Sequence, residues 1–341
     1  MSKKIIIATD AWHPQVNGVV KCVDEIKKEL EENGFEVVII HPGLFYSLPI
    51  FFYPEIRLSL FCKGTVKKIF QAENPDYVHI VTEGPIGLAV RSLCLKNNLK
   101  FTSANHTNFQ VYIQHYVANI GFFVNIIYAY LRWFHNASNG TMVITPEIKQ
   151  GLERRNFRHV LLWPLGVDTN LFTRNENSTV KKDFNFKEPV FVYFGRIAKE
   201  KNVEEFLKCK LPGTKLVIGD GPTRKELEAK YGKENIFLGY KRGQELVDFL
   251  SVCDVFVFPS LTDTFPLAII EAFACGLPVA AHNVMGLDLL VKKDVGVLDD
   301  DLSKAALQCL KLSRQACRQY ALEFSWKESS KHFINNIVPV K

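Results

Sequence analysis

Short runs of β-branched residues alternate with amphipathic stretches along the whole chain. The run KIIIATD (4–10) predicts a buried strand, and apolar residues at helical spacing follow it. Asn33-Gly34 predicts the end of that helix, and EVVIIHP (36–42) begins the next strand. This alternation is typical of α/β domains that are built on parallel sheets.

The alternation runs through the chain twice. A first series of strand candidates ends with VLLWPLGVD (160–168), and the polar stretch 173–189 follows as a linker. A second series begins with VFVYFGR (190–196). We therefore predict two successive Rossmann-like domains. Ligands of such sheets bind beyond the carboxyl ends of the strands, so chemistry is expected in the strand-to-helix loops and in a cleft between the domains.

Composition is that of a globular protein, and the charge is unevenly placed. The 341 residues are 47% hydrophobic and 23% charged, with a formal net charge of +6. Between Gly43 and Val160 there are 12 Lys and Arg against 6 Asp and Glu, among many aromatic residues. Such a surface suits anionic lipid headgroups or nucleic acid. The alternative is a Phe-rich core with ordinary surface lysines.

No feature of the sequence predicts a disulfide framework or a membrane-spanning helix. The eight cysteines form no CxxC or CxxH pattern, which favours a reduced, cytoplasmic compartment. The N-terminal apolar run, Ile5 to Ala8, is too short for a signal sequence. The longest apolar candidate, 120–134, contains Asn125 and Arg132 and is too short to span a bilayer.

Two strand-to-helix loops carry groups that suit a phosphate. In DAWHPQVNGVV, Gly18 at the start of a helix lets the backbone approach an anion closely. In FGRIAKEKN, Arg196 follows a strand end and Lys201 comes five residues later. The guanidinium group of Arg196 can donate two parallel hydrogen bonds and the ammonium group of Lys201 is a compact charge, a combination that suits a diphosphate. The alternatives are an ordinary tight turn for the first loop and solvated charges for the second.

The stretch SLTDTFPLAIIEAFACGLPVA (260–280) holds two carboxylates beside a predicted helix start. Pro266 places that start between Asp263 and Glu271. Because a carboxylate repels phosphate, both acids are expected to accept hydrogen bonds from hydroxyl groups. The alternative makes Asp263 an N-cap and Glu271 an exposed helix residue. The backbone N–H groups that can face a phosphate here are those of Thr264, Phe265 and Leu267.

Three further motifs are weaker. The glycines of VIGDGP, Gly219 and Gly221, favour a tight structural turn over ligand contact. His106 in SANHTNF follows a strand end, where a single histidine is more often structural. The acids of LDDDL (298–302) fit a metal-binding DxD pattern, but a helix cap is the favoured interpretation.

In this order, the motifs resemble the family-4 retaining glycosyltransferases of the GT-B fold. The stretches that carry the resemblance are PQVNGVV, NHTNF, GVDTNLF, GRIAKEKN, GDGP, FLGY, FPS and DTFPLAIIEAFACGLPVA, and they cover essentially the whole chain. Within this family, the sequence most resembles the membrane-associated branches. These are the diacylglycerol glycosyltransferases, the sulfoquinovosyl transferases and the GDP-mannose-dependent α-mannosyltransferases.

The resemblance implies an α/β fold with two Rossmann-like domains that face each other across a cleft. Residues 1–168 are then the acceptor-binding domain and 169–320 the domain that binds a nucleotide sugar. The remaining segment, 321–341, is expected to be a helix that packs back towards the N-terminal domain.

The resemblance also assigns roles to the candidate residues. Arg196 and Lys201 would hold the donor diphosphate, Glu271 the ribose hydroxyls, and the backbone around Gly239 and Tyr240 the base. In the first domain, Gly18 would approach the donor phosphates and His106 the sugar near the reacting carbon. Asp263 stands where most relatives have Glu and would bind hydroxyls of the transferred sugar, so its shorter side chain bears on donor choice.

The activity implied is retaining, metal-independent transfer of a hexose or hexuronic acid, with no cofactor. A UDP-sugar is the favoured donor and diacylglycerol the expected acceptor, on the cytoplasmic face of a membrane with an anionic surface. Segments 44–61 and 109–134 would face that membrane, and no nucleic acid partner is expected. A GDP-mannose-dependent transferase acting on phosphatidylinositol or a polysaccharide precursor is the alternative. Less favoured are a GT-B-fold epimerase and a non-catalytic binding module.

Overall fold

The computed structural model describes residues 2–15, 18–50, 53–106, 120–180, 184, 186–261, 263, 265–284 and 286–341. The chain divides into two compact units. The first unit comprises Met1–Gly166 and Trp326–Lys341, and the second unit comprises Val167–Ser325.

The first unit is built on a six-stranded sheet with the order β2-β1-β5-β6-β7-β8, in which all pairs are parallel. A separate antiparallel hairpin, β3–β4, interrupts the alternation. The strands are β1 (Lys3–Ala8), β2 (Phe35–Ile40), β3 (Ser47–Ile50), β4 (Tyr53–Ser59), β5 (Tyr77–Ile80), β6 (Thr102–Asn105), β7 (Gly140–Val143) and β8 (Val160–Leu162). The helices are α1 (Gly18–Glu32), α2 (Cys62–Glu73), α3 (Pro85–Lys96), α4 (Ile120–His135), α5 (Pro146–Glu153) and the C-terminal α13 (Trp326–Asn336).

The C-terminal helix α13 belongs to the first unit, where it packs against α1. The indole Nε1 of Trp163 donates a hydrogen bond to Ser329 Oγ at 3.1 Å. The rings of Trp163 and Phe333 lie 4.9 Å apart between their centroids. This aromatic contact ties the end of the chain to the sheet of the first unit.

The second unit is a second parallel sheet of six strands, in the order β11-β10-β9-β12-β13-β14. Its strands are β9 (Val190–Phe194), β10 (Thr214–Ile218), β11 (Ile236–Gly239), β12 (Val255–Phe258), β13 (Val279–Ala281) and β14 (Gly296–Leu298). Its helices are α6 (Val203–Lys208), α7 (Arg224–Tyr231), α8 (Gly243–Ser251), α9 (Leu267–Ala274), α10 (Leu287–Leu290), α11 (Leu302–Cys309) and α12 (Arg314–Leu322).

Strands β1, β9 and β12 are rich in apolar residues because helices cover both faces of a parallel sheet. Every residue of β9 and of β12 is buried, and so are the last four residues of β1. All eight cysteines are buried as free thiols within these cores. Burial raises the pKa of Cys94 and of Cys309 to about 12, which makes both thiols unreactive.

Strand order reverses once in each sheet. In the first unit the chain passes from β1 outward to β2 and then returns to place β5 on the other side of β1. In the second unit the same reversal separates β9 from β12. The loops that leave two such strands run in opposite directions and open a crevice at their carboxyl ends. The loops after β1, β5, β9 and β12 are therefore the places to look for ligand-binding groups.

Gly87 sets how closely α3 approaches the loop that precedes it. We expect Gly87→Ala to destabilise the first unit by about 1–3 kcal/mol because a Cβ atom there would lie 2.0 Å from the backbone oxygen of Thr82. Gly64 in α2 is the matched control, since a Cβ atom there meets nothing within 4 Å. Gly64→Ala should stabilise by about 0.5–1 kcal/mol.

Urea unfolding followed by tryptophan fluorescence measures this contrast. All four tryptophans, at positions 12, 133, 163 and 326, belong to the first unit, so the signal follows that unit alone. Equal stability of the two alanine variants would show that the close approach at Gly87 does not constrain the fold.

Candidate active site

The reversal of strand order in the second unit brings a cation and a carboxylate together. Lys201 ends a short 3-10 turn after β9, and Asp263 follows β12. Lys201 Nζ donates to both carboxylate oxygens of Asp263, at 2.6 Å to Oδ1 and 2.8 Å to Oδ2. Both side chains are half-buried, so the pair is only partly screened by water. Two residues that the sequence suggested for different parts of a ligand thus form one ion pair in this structure.

Neither acid of the stretch 260–280 has the alternative role considered from the sequence. The N-cap of α9 is Pro266, and no side chain accepts a hydrogen bond at this cap, so Asp263 is not the capping residue. Glu271 is 8% exposed, so it is not a surface residue of the helix.

The start of α9 lies directly after Asp263. The helix begins at Leu267, and the ring of Phe265 packs against Phe324 with 6.3 Å between centroids. Both residues are half-buried and adjoin the free N–H groups of the first helical turn. The third residue expected at this helix start, Thr264, lies outside the described residues.

Glycines allow the neighbouring loops to pack backbone against backbone. Arg196, which is exposed, lies between Gly195 and Ile197 after β9. A Cβ atom on Gly219 would lie 1.9 Å from the oxygen of Gly195, and one on Gly221 would lie 2.3 Å from the oxygen of Ile197. Ile197 N donates to the oxygen of Asp220 at 2.8 Å. These contacts favour the structural interpretation of the two glycines, which hold the Arg196 loop in place.

The end of β11 completes this edge. Gly239 is buried with a φ of 72°, and its oxygen accepts a hydrogen bond from Gly219 N at 2.8 Å. Tyr240, the next residue, is exposed. Of the residues predicted from the sequence, the second unit therefore gathers Arg196, Lys201, Gly239, Tyr240, Asp263, Phe265, Leu267 and Glu271 on strand-to-helix loops and the helix that follows.

Three further residues support the turn that carries Lys201, and none of them was singled out from the sequence. Asn202 occupies the left-handed region with a φ of 52°, a conformation that asparagine adopts more readily than most residues. Its Nδ2 donates to Glu205 Oε2 and, at 3.4 Å, to the oxygen of Pro259. His282, buried at the end of β13, lies 3.0 Å from the same Glu205 oxygen. The Lys-Asn pair in GRIAKEKN was the available signal for this support.

The first unit holds the two remaining predicted residues. Gly18 is the exposed first residue of α1, and residues 16 and 17 before it lie outside the described residues. His106 follows β6, and burial lowers its pKa to about 4, so the ring is neutral near pH 7. Its Nε2 atom is buried and has no hydrogen-bond partner within the described part of the chain. An unpaired polar atom of this kind is suited to a ligand.

Two acids of the first unit also lie at strand ends and were missed from the sequence. Asp10 follows β1 and Glu83 follows β5, the two strands at which the strand order reverses. Burial raises the pKa of the Asp10 carboxyl group, and hydrogen bonds from Ile86, Thr82 and Gly87 oppose that rise. The letters TD and TEGP after predicted strands were the only sequence signal for these acids.

The remaining sequence candidates have local explanations. Asp301 of LDDDL is the N-cap of α11 and accepts hydrogen bonds from Ser303 N and Lys304 N. Among the described residues no group of three or more His, Cys, Asp or Glu side chains could hold a metal ion. The helices in the described ranges include none that is long and apolar enough to cross a bilayer.

Two successive α/β units, each built on a six-stranded parallel sheet, have the architecture of the GT-B glycosyltransferase fold. Sucrose-phosphate synthase from Thermosynechococcus elongatus superposes with a TM-score of 0.82 at 19% identity, over 98% of both chains. Anabaena HepE, solved in complex with UDP-glucose, superposes with a TM-score of 0.70 at 16% identity, over 97% of this chain and 98% of that one.

Family comparisons agree with this class. Residues 16–171 match the family described as Glycosyltransferase Family 4, and residues 175–321 match Glycosyl transferases group 1. The chain therefore belongs to the glycosyltransferases that join a family 4 domain to a group 1 domain, as the resemblance of its motifs predicted.

Three curated relatives illustrate the range of this family. The chain is 27% identical to the sulfoquinovosyl transferase SQD2 of Arabidopsis thaliana, over 82% of this chain and 59% of that protein. It is 29% identical to the alpha-monoglucosyldiacylglycerol synthase of Acholeplasma laidlawii, over 81% of this chain and 79% of that protein. It is 25% identical to a GDP-mannose-dependent alpha-mannosyltransferase of Corynebacterium glutamicum, over 87% of this chain and 76% of that protein.

The buried histidines of the first unit predict a loss of stability in mild acid. Burial lowers the pKa of His79 to about 3 and that of His106 to about 4, below the ordinary value of 6.5. Below pH 6.5 the unfolded chain therefore binds protons that the folded unit does not. The free energy of unfolding should fall as the pH drops from 6.5 towards 4, by up to about 1.4 kcal/mol per pH unit for each ring.

His79→Gln tests this origin. Its stability should depend less steeply on pH than that of the wild type, measured by urea unfolding with tryptophan fluorescence between pH 7 and 5. The exposed His332 of α13 provides the matched control, since His332→Gln should leave the slope unchanged. A His79→Gln slope equal to that of the wild type would rule out His79 as a source of the effect.

Proposed function

We propose that the protein is a retaining α-glycosyltransferase that moves a hexose or hexuronic acid from a nucleotide sugar to a lipid acceptor, with diacylglycerol as the acceptor and a UDP-sugar as the favoured donor. One observation carries the donor half of this proposal. Arg196, the Lys201–Asp263 pair, the start of α9 and the buried Glu271 occupy the switch point of the second sheet.

Each group at this switch point has a chemical use toward a nucleotide sugar. Arg196 and Lys201 supply positive charge for the diphosphate, and the first turn of α9 supplies free N–H groups. Glu271 accepts hydrogen bonds from ribose hydroxyls. The backbone at Gly239 and the side chain of Tyr240 lie at the end of β11, where the base would bind.

The Lys201–Asp263 pair suggests how the donor is received. An incoming diphosphate competes with Asp263 for Lys201, because both are anions that the ammonium group can bind. Asp263 is then released to accept hydrogen bonds from hydroxyls of the transferred sugar. The aspartate side chain is one methylene shorter than the glutamate that is usual in the family, so it changes which transferred sugar fits the site.

The same groups account for catalysis without a metal ion. Cleavage of the anomeric C–O bond leaves a nucleoside diphosphate and an oxocarbenium-like sugar. Arg196, Lys201 and the start of α9 stabilise the negative charge that develops on the departing phosphate. The phosphate accepts the proton of the attacking hydroxyl on the same face, so the configuration at the anomeric carbon is retained. His106 is neutral, and its Nε2 has no hydrogen-bond partner among the described residues, which supports a contact of this ring with the sugar.

The lipid acceptor is supported by exposed apolar side chains and by the relatives. On segment 44–61, Tyr46 is 70% exposed and Phe61 is 90% exposed, and Leu44, Leu48 and Leu58 are also exposed. Arg57 lies among them on β4. Exposed aromatic and aliphatic side chains with a cation suit an anionic membrane surface. The relative named alpha-monoglucosyldiacylglycerol synthase supports diacylglycerol as the acceptor.

Segment 109–134 gives weaker support for a membrane-facing surface. Its residues 109–119 lie outside the described residues. On α4, Ile126, Tyr130 and Trp133 are exposed at the spacing of one helix face. We therefore propose that the protein binds to the cytoplasmic face of the membrane as a peripheral enzyme.

A GDP-mannose-dependent α-mannosyltransferase is the second candidate. It is favoured by the relative of that name in Corynebacterium glutamicum, which is 25% identical. The acceptor would then be phosphatidylinositol or a polysaccharide precursor. Incubating the protein with diacylglycerol vesicles and a panel of UDP- and GDP-sugars separates the two candidates. Transfer to a soluble sugar alone, with no glycolipid from any donor, would refute the lipid acceptor.

Arg196→Ala tests the diphosphate site. Loss of this guanidinium should lower kcat by roughly 100- to 1,000-fold, as for removal of one group that stabilises a developing oxyanion. The matched control is Lys311→Ala, which removes one exposed cation of the same unit away from the strand ends. Turnover of the Arg196→Ala variant that equals that of the control would refute the assigned role.

A double variant, Tyr46→Ser with Phe61→Ser, tests the membrane surface. Removing two exposed aromatic rings should reduce co-sedimentation with vesicles of diacylglycerol and anionic phospholipid by about tenfold or more, since each ring contributes about 1–3 kcal/mol when it is buried. Leu95→Ser serves as control because Leu95 is an exposed apolar residue of the same unit at the end of α3. Equal reductions in the two proteins would exclude a specific surface on segment 44–61.

A further inference from the structure

The reversal of strand order in the first unit places three titratable side chains on adjacent strands. Asp10 follows β1, Glu83 follows β5 and His106 follows β6, and these strands are neighbours in the order β1-β5-β6. The carboxyl edge between β1 and β5 is the crevice that a ligand of this sheet would use. Two of the three side chains, Asp10 and Glu83, have no role in the donor chemistry described above.

Asp10 is fully engaged within the fold. Its Oδ2 accepts from Thr82 Oγ1 at 2.9 Å, and its Oδ1 accepts from Ile86 N at 2.9 Å. Gly87 N is a longer third donor to Oδ2, at 3.4 Å. The carboxylate thus caps the first turn of α3, whose own N-cap, Gly84, has no side chain to do so. Asp10 is a structural residue.

Glu83 is held differently. Its Oε1 lies 3.0 Å from Nε2 of His135, and its backbone oxygen accepts from the hydroxyl of Tyr130 at 2.5 Å. The His135 side chain is 0% exposed, whereas the Glu83 side chain remains 17% exposed. One side of the carboxylate is therefore fixed by a buried ring, and part of it still faces solvent.

A buried chain of hydroxyl groups fixes that ring. Nδ1 of His135 lies 2.9 Å from Ser103 Oγ, which donates to Ser138 Oγ at 3.1 Å. Ser138 Oγ in turn donates to the backbone oxygen of His135 at 2.8 Å. A buried polar network stabilises the fold only if each of its polar groups is hydrogen-bonded, and a fully hydrogen-bonded network holds its side chains rigidly.

His106, at the end of the neighbouring strand β6, is the third polar group of this edge. Nε2 of His106 is buried without a partner in the described part of the chain, and the negative charge of Glu83 raises the His106 pKa against the effect of burial. A carboxylate repels phosphate, whereas a hydroxyl group can donate to a carboxylate and also bond to a neutral imidazole. The edge is thus suited to an alcohol and not to an anion.

We propose that Glu83, oriented by His135, binds the hydroxyl group of the acceptor. This inference rests on the proposed function, because it assumes a hydroxyl acceptor, and it adds an acceptor-binding residue and a positioning residue in the first unit. Glu83 accepts the hydrogen bond of the hydroxyl. His135, which does not touch the acceptor, keeps the carboxylate in place.

The test measures how often the sugar of the donor is transferred to the acceptor and how often it is transferred to water. Glu83→Gln keeps the shape of the side chain but removes its charge. The ratio of glycosyl transfer to donor hydrolysis should fall by roughly 10- to 100-fold, the value of a hydrogen bond to a charged group, with a raised KM for diacylglycerol. His135→Gln should lower the ratio in the same direction. Affinity for UDP should stay within about twofold of the wild type, since those contacts lie in the second unit.

The matched control is Glu36→Gln. Glu36 lies on β2 and pairs with Lys4 at 2.8 Å, in the same unit but without a part in this network. Its ratio of transfer to hydrolysis should equal that of the wild type. Thermal unfolding of all three variants shows whether a loss of transfer follows from a loss of folding.

Three results are decisive. An unchanged ratio in Glu83→Gln would overturn this inference alone and leave the proposed function intact. A parallel loss of transfer, hydrolysis and UDP affinity, with a lowered Tm, would make Glu83 a structural residue and also overturn the inference. If the wild-type protein consumes no nucleotide sugar, both the proposed function and the inference are refuted.

Discussion

The reversal of strand order in each sheet is the constraint on which the candidate sites depend. Parallel strands must be joined by crossovers, and where the crossovers change direction two strand-end loops diverge and leave backbone and side chains uncovered. In the second unit this occurs between β9 and β12, and in the first between β1 and β5. Arg196, Asp263 and Glu83 all follow strands at which the order reverses.

The two switch points have opposite chemistry. The second unit presents Arg196, Lys201 and the start of a helix, which favour an anion, and it balances part of that charge with Asp263. The first unit presents Glu83 and a neutral His106 at the ends of adjacent strands, an arrangement that disfavours an anion and suits a hydroxyl group. A glycosyl transfer needs both properties, since a charged leaving group departs from the sugar and an alcohol replaces it. The proposed assignment of donor and acceptor follows from that contrast.

Much of the fold was predictable because its signals are local. Apolar runs such as those of β1 and β9 indicate strands that are buried on both faces, and the helix start near Pro266 follows from the fixed φ of proline. The hairpin β3–β4 was not predicted, since segment 44–61 was interpreted only as a basic, aromatic stretch. The site residues found from sequence were those in strand-end motifs. Glu83, His135 and His282 were missed because an isolated acid or histidine has no local pattern.

The sequence by itself determined the alternation of strands and helices, the two α/β series and the loops in which chemistry had to lie. These follow from periodicity and from residue preferences that act over a few positions. Only the tertiary structure decided which charges meet. Lys201 and Asp263 are 62 positions apart, and Glu83 and His135 are 52 apart. No local preference brings together residues at such separations. Their contacts depend on the order of the strands in the sheet, which is set by the crossover connections and not by the sequences of the individual strands.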